Sequence, residues 1–135
     1  MYNIERLIRG YKYNGWMSYE EYVEYLIETY NGVLRPDRLC DFPGDVDISG
    51  QGLNIVPTIF GIVNGSFKCY NNNFSNLIGS PESVGGNFNC SYNQLQSLDG
   101  CPKHVGSSFW CDNNLVQFTE EEVRSRCDVG GRVHV

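Results

Sequence analysis

The side chains of this chain with the widest chemical reach are its six cysteines and two histidines. Cys69, Cys90 and Cys111 recur every 21 residues. A zinc site needs thiolates in close Cys-x2-Cys pairs or with histidine nearby. Here the interval is that of the whole surrounding pattern, so the three cysteines are expected as a column of small buried side chains. Cys101 sits in a turn, and Cys40 and Cys127 flank the patterned region. Cys111-Asp112 and Cys127-Asp128 each place a thiol beside a carboxylate. A nucleophile also needs an activating base and an oxyanion site. The histidines are His104, in a turn, and His134, one residue from the end of the sequence. No phosphate-binding loop, Ser/His/Asp set or carboxylate cluster accompanies them, and Gly85-Gly86 is expected as a turn into a strand. The sequence therefore predicts no catalytic residue, no metal site and no cofactor.

The cysteines belong to a repeat. Phe67, Phe88 and Phe109 precede them by two residues, and Asn72 and Asn93 sit five after their Phe. Phe74/Leu95, Leu77/Leu98, Gly79/Gly100, Pro81/Pro102, Val84/Val105 and Gly85/Gly106 keep the same 21-residue interval. A weaker upstream copy has Val46, Ile48, Leu53, Val56 and Val63 in the matching places. The last copy is one residue short, which aligns Asn113, Leu115 and Phe118 with Asn93, Leu95 and Leu98. A fixed period near 20 residues is the signature of a solenoid. Phe88-Asn89-Cys90 alternates apolar and polar, so Phe88 and Cys90 face inward from a short strand. The asparagine follows where the chain must turn, and its amide can bond backbone groups left unpaired there. Stacked turns are expected to align Asn72, Asn93 and Asn113 into a ladder, with strands pairing in parallel about 4.8 Å apart.

The pattern Phe-x-Cys-x-x-Asn-x-Leu-x-x-Leu-x-Gly-x-Pro-x-x-Val-Gly, spanning Phe88 to Gly106, resembles leucine-rich-repeat-like proteins of tailed bacteriophages and some bacteria. The resemblance covers about residues 40–118. It implies a curved parallel-sheet solenoid whose sheet face commonly binds protein, and it implies no shared activity. It also implies a small phage protein that binds and inhibits a host enzyme or defence complex.

A solenoid needs its ends covered. Ser18 and Glu21 form a capping box, followed by Tyr19, Tyr22, Val23, Leu26 and Tyr30 on one stripe, with Asn31-Gly32 as the stop. Ile4, Leu7, Ile8 and Tyr11 predict a shorter helix before it. At the other end Thr119 and Glu122 open a helix to about Arg126, and Val129-Gly130-Gly131-Arg132-Val133 echoes Val84 to Phe88, so a final edge strand is expected at residues 133–135. The expected fold class is α+β: a short leucine-rich-repeat-like solenoid with a parallel β-sheet. Its parts are a helical N-terminal cap or binding element (1–36), the solenoid (37–118) and a C-terminal cap (119–135).

Function then rests on what the strands present outward. One column is Asp47, Lys68, Asn89, Trp110 and His134; the next is Ser49, Tyr70, Ser91 and Asp112. Trp110 and Tyr70 amid polar groups have the composition of a protein-binding hot spot. Glu20, Glu24 and Glu28 form an acidic row along the helix, suited to a basic partner or to mimicry of nucleic acid. The chain carries 10 Lys and Arg against 16 Asp and Glu, a formal charge of -6, which disfavours direct nucleic-acid binding. No apolar run is long enough to span a membrane, and no export signal opens the sequence, so a reducing cytoplasm is expected, that of the host for a phage-encoded chain. The expected partner is a host protein. Monomer and homo-oligomer both remain open, the latter through edge strands at Val46 or Val133.

Overall fold

Each turn of the coil makes two short strands rather than one. The computed structural model describes residues 17–135, so the helix expected around residues 4–11 lies outside the described part. Helix α1 (Tyr19–Thr29) leads into β1 (Val33–Leu34) and β2 (Cys40–Phe42). The turns follow as β3 (Val46–Asp47), β4 (Phe60–Val63), β5 (Phe67–Lys68), β6 (Ser83–Val84), β7 (Phe88–Asn89), β8 (His104–Val105) and β9 (Phe109–Trp110). Helix α2 (Glu120–Arg126), β10 (Asp128–Val129) and β11 (Val133–His134) complete the chain. One sheet has the order β1-β2-β4-β6-β8-β10 and the other β11-β9-β7-β5-β3. All pairs are parallel except β1 with β2. The result is a β-solenoid of about five turns.

The 21-residue repeat is the register itself. Val46 pairs with Phe67, Phe67 with Phe88, and Phe88 with Phe109. Inserting α2 lengthens the last turn, yet Val133 still pairs with Phe109 and Val129 with Val105. Phe67, Phe88 and Phe109 are fully buried, as are Val46, Ile48, Cys69 and Cys90, while Cys111 is 2% exposed. Ring centroids run 4.9 Å from Phe60 to Phe67, 5.9 Å on to Phe88 and 5.1 Å on to Phe109, a continuous aromatic spine.

The sequence reading expected one sheet. The sheet through β4, β6 and β8 forms as well because Val63, Val84 and Val105 also align in register and are fully buried. The chain then turns a tight corner to reach the Phe strand. A Cβ on Gly85 would lie 2.2 Å from Asn64 O, and one on Gly106 2.2 Å from Gly85 O. Backbone rests on backbone there, so only glycine fits.

Two ladders of polar side chains hold successive turns together, the interior one made of asparagine amides. Asn93 Nδ2 donates to Cys69 O at 3.1 Å, Cys90 O at 3.1 Å and Ser91 O at 3.2 Å, while its Oδ1 accepts from Phe74 N at 3.1 Å. Asn72 does the same one turn earlier, accepting from Gln51 N and Leu53 N. The third rung is Asn114, not Asn113: its Nδ2 donates to Cys90 O, Cys111 O and Asp112 O, and Leu95 N donates to its Oδ1 at 3.0 Å. The period therefore holds through the turn, and the missing residue falls after it. Leu115 is accordingly 62% exposed instead of inward, whereas Phe118 is buried as expected. Asn113 instead joins Gly50, Asn71 and Tyr92 in a column of left-handed residues, with φ between 55° and 65°. The second ladder lies at the corner. Asp45 Oδ1 accepts from Ser66 N, Ser66 Oγ from Asn87 N, Asn87 Oδ1 from Ser108 N, and Ser108 Oγ from Arg132 N.

Both helices carry the capping boxes foreseen at Ser18/Glu21 and Thr119/Glu122. Asn31, at φ 59°, ends α1. Tyr22 and Leu26 are fully buried, and Tyr22 Oη donates to Gln51 Oε1 in the first turn. Val33-Leu34, within the expected cap (1–36) but beyond its Asn31-Gly32 stop, is a strand rather than a plain connection. An Arg35–Leu39 turn (Arg35 N to Leu39 O, 2.7 Å) folds it back onto Cys40 and Asp41.

The ladder sets a stability test. Asn93→Ala leaves Phe74 N without its acceptor in the interior and takes one donor from each of the Cys69, Cys90 and Ser91 carbonyls, which keep Asn72 Nδ2, Asn114 Nδ2 and Asn71 N; it is expected to cost about 2 kcal/mol, or roughly 7 °C in Tm, by differential scanning calorimetry. Tyr92→Asn relieves the left-handed strain of an exposed tyrosine and should gain about 0.5–1 kcal/mol in the same measurement.

Candidate functional site: the outer face of the second sheet

The expected outward column exists. Asp47, Lys68, Asn89, Trp110 and His134 are consecutive register partners across β3, β5, β7, β9 and β11. Their side chains therefore stand about 4.8 Å apart along the solenoid axis. Neighbouring turns fix each strand, so the backbone beneath the face is rigid.

The polar groups of the face are largely spent on one another. Asp47 Oδ1 accepts from Ser49 N at 2.9 Å and from Ser49 Oγ at 2.5 Å. Asn89 Oδ1 accepts from Ser91 N at 3.0 Å. Ser91, expected outward, is 3% exposed, because its hydroxyl turns to donate to Asp112 Oδ1. Asp112 Oδ2 accepts from Asn113 Nδ2 at 2.8 Å. Lys68 is exposed, with no ion pair among the described residues. Tyr70 is half-buried, two residues along the same strand direction. Tyr92 adds a third aromatic ring at 59% exposure, which the sequence reading passed over. Its signal was the interval from Asn71 and Asn113, the other left-handed positions.

Trp110 makes a contact within the chain that the strand pattern alone does not specify. Its ring stacks on His134, with centroids 3.6 Å apart and planes 14° apart. The tryptophan is half-buried and helps dock the last turn, so one face of the ring is already occupied. A second contact on the other sheet serves the same docking: His104 Nδ1 lies 3.1 Å from Asp128 Oδ2.

The acidic row lies apart from this column. Glu24 and Glu28 are exposed on α1 and Glu20 is half-buried. The helix meets the face at one end, where Tyr30 Oη donates to Asp47 O at 3.0 Å. On the far corner a cavity of about 450 Å³ opens among Glu82, Cys101, Lys103 and Arg126. Arg126 is paired with Asp99 at 3.0 Å. Cations and carboxylates balance there, so the cavity has no strong preference for either sign.

The thiols form a buried column. Cys69 Sγ donates to Asn89 O at 3.3 Å and Cys90 Sγ to Trp110 O at 3.2 Å. Burial pushes the Cys69 and Cys90 thiols well up, and pushes Cys111 and Cys127 up to about 12. Such thiols stay protonated and are poor nucleophiles. Cys101 is raised less far: burial lifts it, while Arg126 and Lys103 pull the other way. Among the described residues no three His, Cys, Asp or Glu side chains gather into a metal-binding group.

The fold and face define a parallel β-solenoid with an uncharged interior ladder and one aromatic-bearing sheet surface. Compared with known proteins, no family model matches the chain, and neither a curated protein nor a solved structure is similar to it.

The buried thiols set a pH test. Their folded-state pKa lies above the ordinary 9.0, so the native chain keeps protons that the unfolded chain releases. Stability is full below about pH 9 and falls as the pH rises from there towards 12, by at most about 1.4 kcal/mol per pH unit for each thiol. Urea midpoints measured from pH 7.5 to 10.5 should fall above pH 9. Cys90→Ala should flatten that slope.

Proposed function

We propose that this chain is a non-catalytic protein-binding module that engages its partner through the outer face of the second sheet. The observation that carries this reading is Lys68 and Trp110 in one register column, with Tyr70 two residues beyond Lys68 and the exposed Tyr92 one residue beyond Ser91, on a backbone fixed by neighbouring turns. A rigid platform loses little conformational entropy on binding. Aromatic rings beside one free ammonium supply contact area and a directional contact. The leucine-rich-repeat-like pattern of residues 40–118 supports the finer proposal: a small phage protein that inhibits a host enzyme or defence complex in the host cytoplasm. That finer step rests on the resemblance.

A second reading is homo-oligomeric assembly through edge strands. At β3 that edge is engaged within the chain, since Asp47 O accepts from Tyr30. The exposed apolar pair on β1, Val33 at 65% and Leu34 at 68%, favours this alternative more directly.

Affinity capture from a susceptible bacterial lysate, followed by mass spectrometry and cross-link mapping, separates the two. Cross-links to Lys68 and a monomeric mass support recognition. A mass that grows with concentration and no captured partner support assembly. Lys68→Glu with Tyr70→Ala should reduce capture at least about tenfold while Tm moves by no more than about 2 °C. Trp110→Ala is the less selective variant, because it also removes the His134 stack.

A further inference from the structure

We infer that the cavity between the Cys101 turn and helix α2 takes a small peptide thiol, of the γ-glutamyl tripeptide class, as a mixed disulfide on Cys101. The site lies apart from the second sheet and stands whether or not that sheet binds a partner. Its origin is the helix insertion. The Gly79-Ser80-Pro81 and Gly100-Cys101-Pro102 turns stack directly: Leu77 N donates to Asp99 O at 2.8 Å and Lys103 N to Glu82 O at 2.9 Å. In the next coil α2 stands where a third such turn would be. A helix about 10 Å across cannot seat at a spacing of about 4.8 Å, so its C-terminal end stands off from the turn below. The gap is the cavity of about 450 Å³, a size that suits a small ligand.

The wall of the cavity says what fits. Cys101 lines it and is half-buried, whereas the other five cysteines are at most 3% exposed. Lys103 and Arg126 share the wall, and both lie close enough to act on the Cys101 sulfur. Glu82 is the one carboxylate on it. Lys103 has no ion pair among the described residues, while Arg126 holds Asp99 at 3.0 Å and Glu82 receives Arg35 at 3.4 Å. Two cations and one carboxylate are complemented by a molecule with two carboxylates and one ammonium. A γ-glutamyl tripeptide thiol carries that set together with a sulfur. The Ser80 hydroxyl, also on the wall, is shielded from water and has no hydrogen-bond partner within the protein. A peptide carbonyl of the ligand would supply the missing acceptor.

The step is thiol–disulfide exchange, with the oxidised dimeric form of the tripeptide as the oxidant. Cys101 gives up its proton, and its sulfur bonds to one sulfur of that disulfide. The S–S bond of the disulfide breaks, and the second half leaves as a free thiol carrying the proton. Reduced thiol in excess reverses the exchange. Burial holds the Cys101 thiol above its ordinary range, with Arg126 and Lys103 pulling the other way, so the reaction is slow. What the cavity adds is a preference among disulfides, through the charges on its wall.

The test incubates the full folded chain at about pH 8 with millimolar oxidised glutathione. A parallel arm uses cystamine, a disulfide with two ammonium groups and no carboxylate. Intact-mass spectrometry and peptide mapping follow both. One glutathionyl adduct per chain should form, on Cys101, and dithiothreitol should return the original mass. Each rate is divided by the rate of the same disulfide on the chain unfolded in urea. On that scale glutathione should exceed cystamine at least about fivefold, the order that two exposed ion pairs supply. Lys103→Gln with Arg126→Gln should remove the preference, and Lys103→Gln alone should reduce it if the double variant melts early. Cys101→Ser should leave the folded chain without an adduct. An adduct on another cysteine of the folded chain, equal scaled rates for the two disulfides, a preference that survives both substitutions, or an internal disulfide in place of the adduct would each overturn the inference.

Discussion

In a stack of turns each residue sits about 4.8 Å above its own counterpart, so every position must tolerate a near copy of itself as a neighbour. Like charges cannot meet that demand, whereas amides and hydroxyls can, because each is donor or acceptor to the turn beside it. The constraint accounts for the sparse charge of the middle of the chain. It also explains why Asn72 and Asn93 are buried and Asn114 half-buried, each 2.9–3.4 Å from backbone partners. Where charge does appear in a column it alternates with neutral or opposite groups, as in Asp47, Lys68 and Asn89.

The same demand shapes the corners. Gly85, Gly106 and Gly130 lie one above another with a prospective Cβ 2.2–2.4 Å from a carbonyl oxygen of the turn below. Beside them Asp45, Ser66, Asn87 and Ser108 each offer a side-chain oxygen to the N–H of the following turn. Corner and ladder together leave few backbone groups unpaired, which lets a coil with strands of only two residues hold its shape.

Much of this was legible in the sequence, and the reason is the period. Register, inward phenylalanines, buried thiols and the return strand at Val133 all follow from intervals that can be counted. What escaped had no interval to betray it. Aligning the short last copy by matching Asn113 to Asn93 looked reasonable. The chain instead keeps its period through the ladder residue Asn114 and absorbs the missing residue afterwards, because an unmet interior ladder costs more than an exposed Leu115. The sheet through β4, β6 and β8 was missed because β6 and β8 show only one inward residue each, Val84 and Val105, too short for alternation to register. The outward column was placed correctly, but side-chain pairing across it was not. Ser91 turns inward to Asp112 and Trp110 lies against His134, contacts between residues 21 and 24 apart that strand alternation alone does not specify.

These pairings bear on what kind of surface the solenoid offers. A face whose carboxylates and amides already satisfy one another presents little unmet polarity, so a partner desolvates few groups that it must then replace. Lys68 and the rings of Tyr70 and Tyr92 are the exceptions, and they cluster along the middle turns, where the backbone is held from both sides. What such a flank offers is therefore shape, rigidity and a few side-chain contacts rather than unmet hydrogen bonds, because the stacking that fixes its backbone also pairs most of its polar groups.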